Sequence, residues 1–85
     1  MTYQVVIQTP ARRQLLRLSK IIQDRIEVRL DALATNPRPH GMKALVGRPD
    51  TYRIRVGDYR VIYRIEDDQL IVLVVEIGHR KDIYG

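Results

Sequence analysis

The stretch Tyr52-Arg53-Ile54-Arg55-Val56-Gly57-Asp58-Tyr59-Arg60-Val61-Ile62-Tyr63-Arg64 alternates apolar and basic residues up to a Gly-Asp pair and continues beyond it. Alternation of period two marks strands with one apolar and one polar face, and Gly-Asp between them marks a two-residue hairpin turn. With Gly57 and Asp58 as that turn, Val56 pairs with Tyr59, and Arg55 falls directly opposite Arg60, with Arg53 two residues away on the same face. Like charges directly opposite each other destabilise a sheet. A face that needed only to be soluble could use Glu, Thr or Lys/Glu pairs. A facing arginine pair therefore points to an anionic guest, and a guanidinium fork that binds two oxygens at once suits a phosphate.

A second group of chemically capable residues stands in Gly78-His79-Arg80-Lys81-Asp82-Ile83-Tyr84-Gly85. It follows the strand expected to pair with the Arg60 strand, which would let His79, Arg80 and Tyr84 reach the arginine face. Histidine, arginine and tyrosine beside an arginine cluster suit phosphodiester chemistry without a metal. Cleaving RNA through its own 2′-hydroxyl needs a base for that hydroxyl, positive charge on the crowded phosphorane and an acid for the leaving 5′-oxygen. Histidine serves either proton-transfer role near neutrality, and tyrosine serves when nearby cations lower its pKa.

The same residues have plainer readings. Arg53, Arg55 and Arg60 could form a solvated outer face, His79 a surface or capping histidine, and Tyr84 a packing anchor for the tail. Tyr52, Tyr59 and Tyr63 read as core or core-edge residues, and His40 has no role in its Pro-rich loop. Two histidines far apart in the chain, with no acidic partner at ligand spacing, argue against a metal site. The chain has no cysteine, which excludes disulfides, thiolate zinc sites and cysteine nucleophiles together. No Gly-rich phosphate loop and no Ser-His-Asp pattern is present.

These side chains must be positioned by a small scaffold. Tyr3-Gln4-Val5-Val6-Ile7-Gln8 reads as a strand with Tyr3, Val5 and Ile7 on one face. Thr9-Pro10 then starts a helix, with threonine as cap and proline in the first position, and Leu15, Leu16 and Leu18 as its apolar side. Ser19 caps a second helix whose Ile22, Ile26, Leu30 and Leu33 form a continuous stripe. Residues 11–34 could instead be one long helix, but folding back as an antiparallel pair buries both stripes more easily in a small domain. Asn36-Pro37-Arg38-Pro39-His40-Gly41 ends the helix in a loop, and residues 43–50 form an irregular connector.

Three strands follow at Thr51–Val56, 59–65 and 70–77, the last nearly all apolar and so a central strand covered on both faces. Pairing Ile65 with Leu70 places Tyr52, Ile54, Val56, Tyr59, Val61, Tyr63, Val72 and Val74 under the helices. The other face then carries Arg53, Arg55, Arg60 and Arg64 among Ile62, Ile71, Leu73, Val75 and Ile77, so it holds both an anion site and an apolar groove for a protein segment.

At 85 residues the chain supports one core, and residues 1–85 are expected to form one domain. Its net charge of +5 is uneven: residues 1–37 carry +3, 38–64 carry +5 and 65–85 carry −3. Positive charge concentrated in the middle third is the footprint expected of a nucleic-acid binder. The longest apolar run is far too short to span a bilayer, and the start of the chain lacks the features of a signal peptide, so a cytoplasmic address and no membrane partner are expected.

The chain resembles the RelE-type toxins of the RelE/ParE toxin–antitoxin superfamily over nearly its whole length. The resemblance rests on the order of elements, on Leu45-Val46-Gly47-Arg48-Pro49-Asp50-Thr51-Tyr52-Arg53-Ile54-Arg55, on Gly57-Asp58-Tyr59-Arg60-Val61-Ile62-Tyr63 and on Ile77-Gly78-His79-Arg80-Lys81-Asp82-Ile83-Tyr84. It implies a small α+β domain of order β-α-α-β-β-β, with an antiparallel C-terminal sheet and a helical hairpin packed on one face. It also implies a metal-independent, ribosome-dependent endoribonuclease that cuts mRNA in the A site by 2′-hydroxyl attack, inhibits translation and is neutralised by an acidic, DNA-binding antitoxin. No cofactor is implied.

By resemblance, Arg53 and Arg55 match two basic positions that are lysines in well-known members. Arg60 matches a phosphate-binding arginine, Arg80 the arginine of a Gly-x-Arg segment and Tyr84 a tyrosine near the C-terminus. Arginine stays protonated, so neither Arg53 nor Arg55 can be the general base, and that role moves to His79 or Tyr84. Without a complete base and acid of its own, the enzyme would depend on the ribosome to impose an in-line geometry, and weak activity on free RNA is expected. The alternative implied by the same superfamily is a non-catalytic ParE-like toxin that binds DNA gyrase. A module that docks nucleic acid without chemistry is the third reading.

Overall fold

The computed structural model describes residues 2–81. Its elements run β1 (Gln4–Ile7), α1 (Thr9–Leu16), α2 (Lys20–Thr35), β2 (Lys43–Ala44), β3 (Thr51–Val56), β4 (Tyr59–Glu66) and β5 (Ile71–His79), with a 3₁₀ turn at Asp67–Gln69. All five strands join one mixed sheet in the order β1-β5-β4-β3-β2. The C-terminal hairpins are antiparallel, as expected, and the sheet is extended at both edges. β1 adds parallel to β5, with Val5 beside Val72 and Ile7 beside Val74, and the two-residue β2 adds antiparallel to β3 from within the segment expected to be irregular.

The helices are separate. Ser19 caps α2 by accepting from the Ile22 amide at 3.4 Å, and Asn36 closes it, its amide donating to the Ala32 carbonyl at 3.1 Å. The start of α1 differs from expectation: Gln8 is the cap residue, without a side-chain bond, and Thr9 is the first residue inside the helix. α1 lies against β5, and α2 crosses β1 and β3.

The core forms where α1 and α2 meet one face of the sheet. Ala11 and Leu15 of α1 and Ile26, Leu30 and Leu33 of α2 pack on Ile54, Val56, Val61, Tyr63, Ile65, Val72, Val74 and Ile77. Ile22 and Leu18 pack at its margin, whereas Leu16 points outward, 63% exposed. Tyr63 is fully buried, and its hydroxyl donates to the Pro37 carbonyl at 2.8 Å, which ties the loop after α2 to the middle of the sheet. Burial pushes the Tyr63 phenol up to about 12.

The second hairpin departs from the expected register. Ile65 pairs with Val72 rather than Leu70, because Asp67–Gln69 forms a 3₁₀ turn and Leu70 adopts φ +54°. A two-residue slip keeps each side chain on its expected face. Farther along, Tyr63 pairs with Val74 but Ile62 with Glu76, so Val75 is an extra residue in β5. Such a bulge exchanges the faces of everything beyond it. Ile77, expected among the arginines, therefore lies opposite Val61 and is buried in the helix-side core. Val75 stays on the other face, where it packs with Leu45 and Ile62 in a small second cluster.

Candidate anion site and family membership

The hairpin between β3 and β4 turns at Gly57 and Asp58. Gly57 takes φ +60°, a conformation that fits glycine at the first position of a two-residue hairpin turn. The turn sets Val56 opposite Tyr59 and Arg55 directly opposite Arg60, the register read from the sequence. Arg80 closes this end of the sheet. Its amide donates to the Asp58 carbonyl at 2.9 Å, and its Nε lies 4.0 Å from the Asp58 carboxylate.

Arg55, Arg60 and Arg80 thus line one small cavity over the turn, about 80 Å³, together with Asp58 and Tyr59. The Arg60 Nε atom is buried. The Arg60 guanidinium is held below its ordinary pKa, first by the burial of its head and then by the positive charges of Arg53, Arg55 and Arg80. Four arginines therefore share one electrostatic neighbourhood. An anion entering it would relieve the repulsion in a partly shielded setting, which is what a phosphate site requires.

Arg53 is 8% exposed and lies on the same face as Arg55. The two also line a larger cavity, about 330 Å³, at the β2–β3 edge, with Arg29, His40, Gly41 and Lys43. Reading the sequence missed Arg29, His40 and Lys43. Arg29 comes from α2 and donates to the Arg55 carbonyl at 3.0 Å, and Lys43 sits on β2 directly opposite Arg53. No local pattern announces either contact. The one available signal was the basic excess of residues 38–64, which includes Lys43.

His79 does not join the arginines. The bulge at Val75 sets it opposite Tyr59, and the two rings meet edge to face with centroids 5.4 Å apart. Its Nδ1 accepts from the Lys81 amide at 3.2 Å. His79 instead lines a separate cavity of about 340 Å³ against Gln14, Arg17 and Leu18 from the helical layer. Tyr84 lies outside the described residues. At the opposite end of the sheet, Arg64 pairs with Glu66 at 3.2 Å and lines a groove with Leu73 and Val75.

The arrangement of two helices, a mixed sheet and a basic hairpin coincides with a known family. Residues 5–84 match the family described as the ParE toxin of the type II toxin-antitoxin system, parDE. The chain belongs to the RelE/ParE toxin superfamily. Within that superfamily it is 34% identical to the toxin RelG of Mycobacterium tuberculosis, over 99% of this chain and 98% of that one. It is 26% identical to the mRNA interferase toxin RelE of Escherichia coli K12, covering 95% of this chain and 86% of the relative. Its fold superposes on the toxin of the archaeal RelE-RelB complex of Pyrococcus horikoshii with a TM-score of 0.84 at 31% identity, covering 98% of this chain and all of that one. The chain is thus a type II toxin with a RelE-like fold, and solved relatives stand in complex with RelB. No helix among the described residues is long and apolar enough to cross a membrane.

Proposed function

We propose that this toxin is a ribosome-dependent mRNA endoribonuclease that cuts in the A site by 2′-hydroxyl attack, and so stops translation. The observation that carries the reading is the cavity in which Arg55, Arg60 and Arg80 converge, with Arg53 near enough to lower the pKa of Arg60 further. Arg55 and Arg60 hold the scissile phosphate, with the positive charge of Arg53 beside them. Arg80, anchored over the hairpin turn through Asp58, stabilises the phosphorane or the leaving oxygen. The 2′-oxygen forms its bond to phosphorus as the bond to the 5′-oxygen breaks, and the departing 5′-oxygen takes a proton from water, leaving a 2′,3′-cyclic phosphate and a 5′-hydroxyl. Similarity to an mRNA interferase at 26% identity supports the same reading.

The proton of the 2′-hydroxyl goes to Tyr84. His79 was an equal candidate by sequence, but its contact with Tyr59 and its place outside the arginine cavity weigh against it. A tyrosine serves as such a base where cations lower its pKa. A cognate acidic antitoxin, docked on the mixed basic and apolar face, keeps the toxin silent; complex formation in the archaeal relative supports this.

Single-turnover cleavage of mRNA on programmed ribosomes tests the base. Tyr84→Phe is expected to lose the chemical step and His79→Ala to retain most of it, and the opposite ranking overturns the assignment. The second reading, a gyrase poison, draws on the ParE description of the matched family. It predicts inhibition of DNA supercoiling by the purified toxin and an intact message.

A further inference from the structure

The cavity at the β2–β3 edge has a composition that the scissile-phosphate site does not account for. Its lining carries four cationic side chains, Arg29, Lys43, Arg53 and Arg55, with His40 and, among the described residues, no carboxylate. The cavity over the hairpin turn, by contrast, contains Asp58. Lys43 and Arg53 are directly opposite on adjacent strands, so the sheet holds two facing like-charge pairs, Lys43 with Arg53 and Arg55 with Arg60. Facing like charges disfavour a sheet and suit an edge that meets anions.

The two cavities share Arg55, so they are adjacent along one strand. Arg53 and Arg55 are two residues apart on β3, about 7 Å along the strand. That step is comparable with the spacing of successive phosphates on a nucleic-acid backbone. Arg29 is aligned on this edge by its bond to the Arg55 carbonyl, and Gly41, at φ +91°, turns the chain so that His40 and Lys43 flank the opening.

We propose that Arg29, His40, Lys43 and Arg53 form a second phosphate subsite, bordered by Arg55, which the two cavities share. It holds the message phosphate adjacent to the scissile one, so that two successive phosphodiesters lie along β3. The subsite rests on the nuclease reading for its role, and it fixes the RNA's direction across the sheet before attack. Lys43 is the positioning residue best suited to a test, because it is exposed on a two-residue strand and its removal leaves the core untouched.

The test is a chemical cycle on ribosomes programmed with mRNA. Lys43→Ala is expected to lower kcat/KM about ten-fold, the loss of one charge-assisted hydrogen bond. A single methylphosphonate, which removes one phosphate charge, is then walked through the message around the cut. At the phosphate next to the scissile bond it lowers the wild-type rate by a similar factor and the Lys43→Ala rate by no more. Losses that multiply at every position overturn the subsite, as does a Lys43→Ala rate equal to wild type.

If the wild-type toxin cuts no message, the nuclease reading fails and the subsite is read separately by fluorescence anisotropy of a short single-stranded RNA. Lys43→Ala then reduces the slope of log K against log salt by about 0.7. An unchanged slope overturns the subsite independently of cleavage.

Discussion

Replacing Tyr63 by Phe removes one hydroxyl from the centre of the fold and tests how the loop after α2 is held. Tyr63 is fully buried, and its hydroxyl donates to the carbonyl of Pro37, itself a buried residue, at 2.8 Å. Phenylalanine keeps the ring and opens no cavity, so the change isolates the hydrogen bond. Stranding a buried acceptor costs about 1–3 kcal/mol. A domain of this length loses about 4–8 °C in Tm per kcal/mol, so a loss near the lower part of that range, about 1.5 kcal/mol, lowers Tm by about 6–12 °C. The variant also alters the alkaline limb of stability. The folded-state phenol is raised from 10.0 to about 12, so its contribution is complete below pH 10 and disappears as pH rises through 12. Thermal unfolding of both proteins from pH 7 to 12 reads both effects. The gap between them should be largest at neutral pH and close toward pH 12. A Tm within about 2 °C of wild type at pH 7 would refute the claim that this bond secures the loop carrying His40 and Gly41.

Three other outcomes follow from the same structure. Arg60→Gln should reduce cleavage of ribosome-bound message at least about 100-fold, because it removes a cation from the cavity shared with Arg55 and Arg80; a rate equal to wild type would contradict the electrostatic account. Asp67 is held below the ordinary carboxylate value of 3.8, first by Arg38 at 2.8 Å and then by the Tyr3 hydroxyl at 2.6 Å. Its contribution is complete above pH 3.8 and fades as pH falls through the lower folded-state value, so Asp67→Asn should flatten the acid limb of stability seen in urea unfolding between pH 5 and 2. Ile77→Ala should cost about 2–5 kcal/mol and Val75→Ala clearly less, because the bulge puts Ile77 in the main core and leaves Val75 in the smaller cluster.

What the sequence made legible was set by local rules. Gly57-Asp58 fixed the pairing of Arg55 with Arg60, since a two-residue turn leaves one register. The stripe Ile26, Leu30 and Leu33 and the Ser19 cap likewise determined α2 and its buried side. The parallel pairing of β1 with β5 is a long-range event with no turn to announce it. The bulge at Val75 was invisible for a different reason: β5 is almost uniformly apolar, so no alternation marks where its faces exchange. That one extra residue moved Ile77 into the core and His79 away from the arginines. Arg29 reaches the site only because α2 crosses β3, and a contact between elements far apart in the chain leaves no spacing to read.

The most direct test of the central claim is a primer-extension map of mRNA on programmed ribosomes with and without the toxin, alongside the same RNA free in solution. A cut confined to the A-site codon, dependent on the ribosome, weak on free RNA and lost in Arg60→Gln, is the predicted result. An intact message at excess toxin, with gyrase supercoiling inhibited by the same preparation, would contradict the nuclease reading.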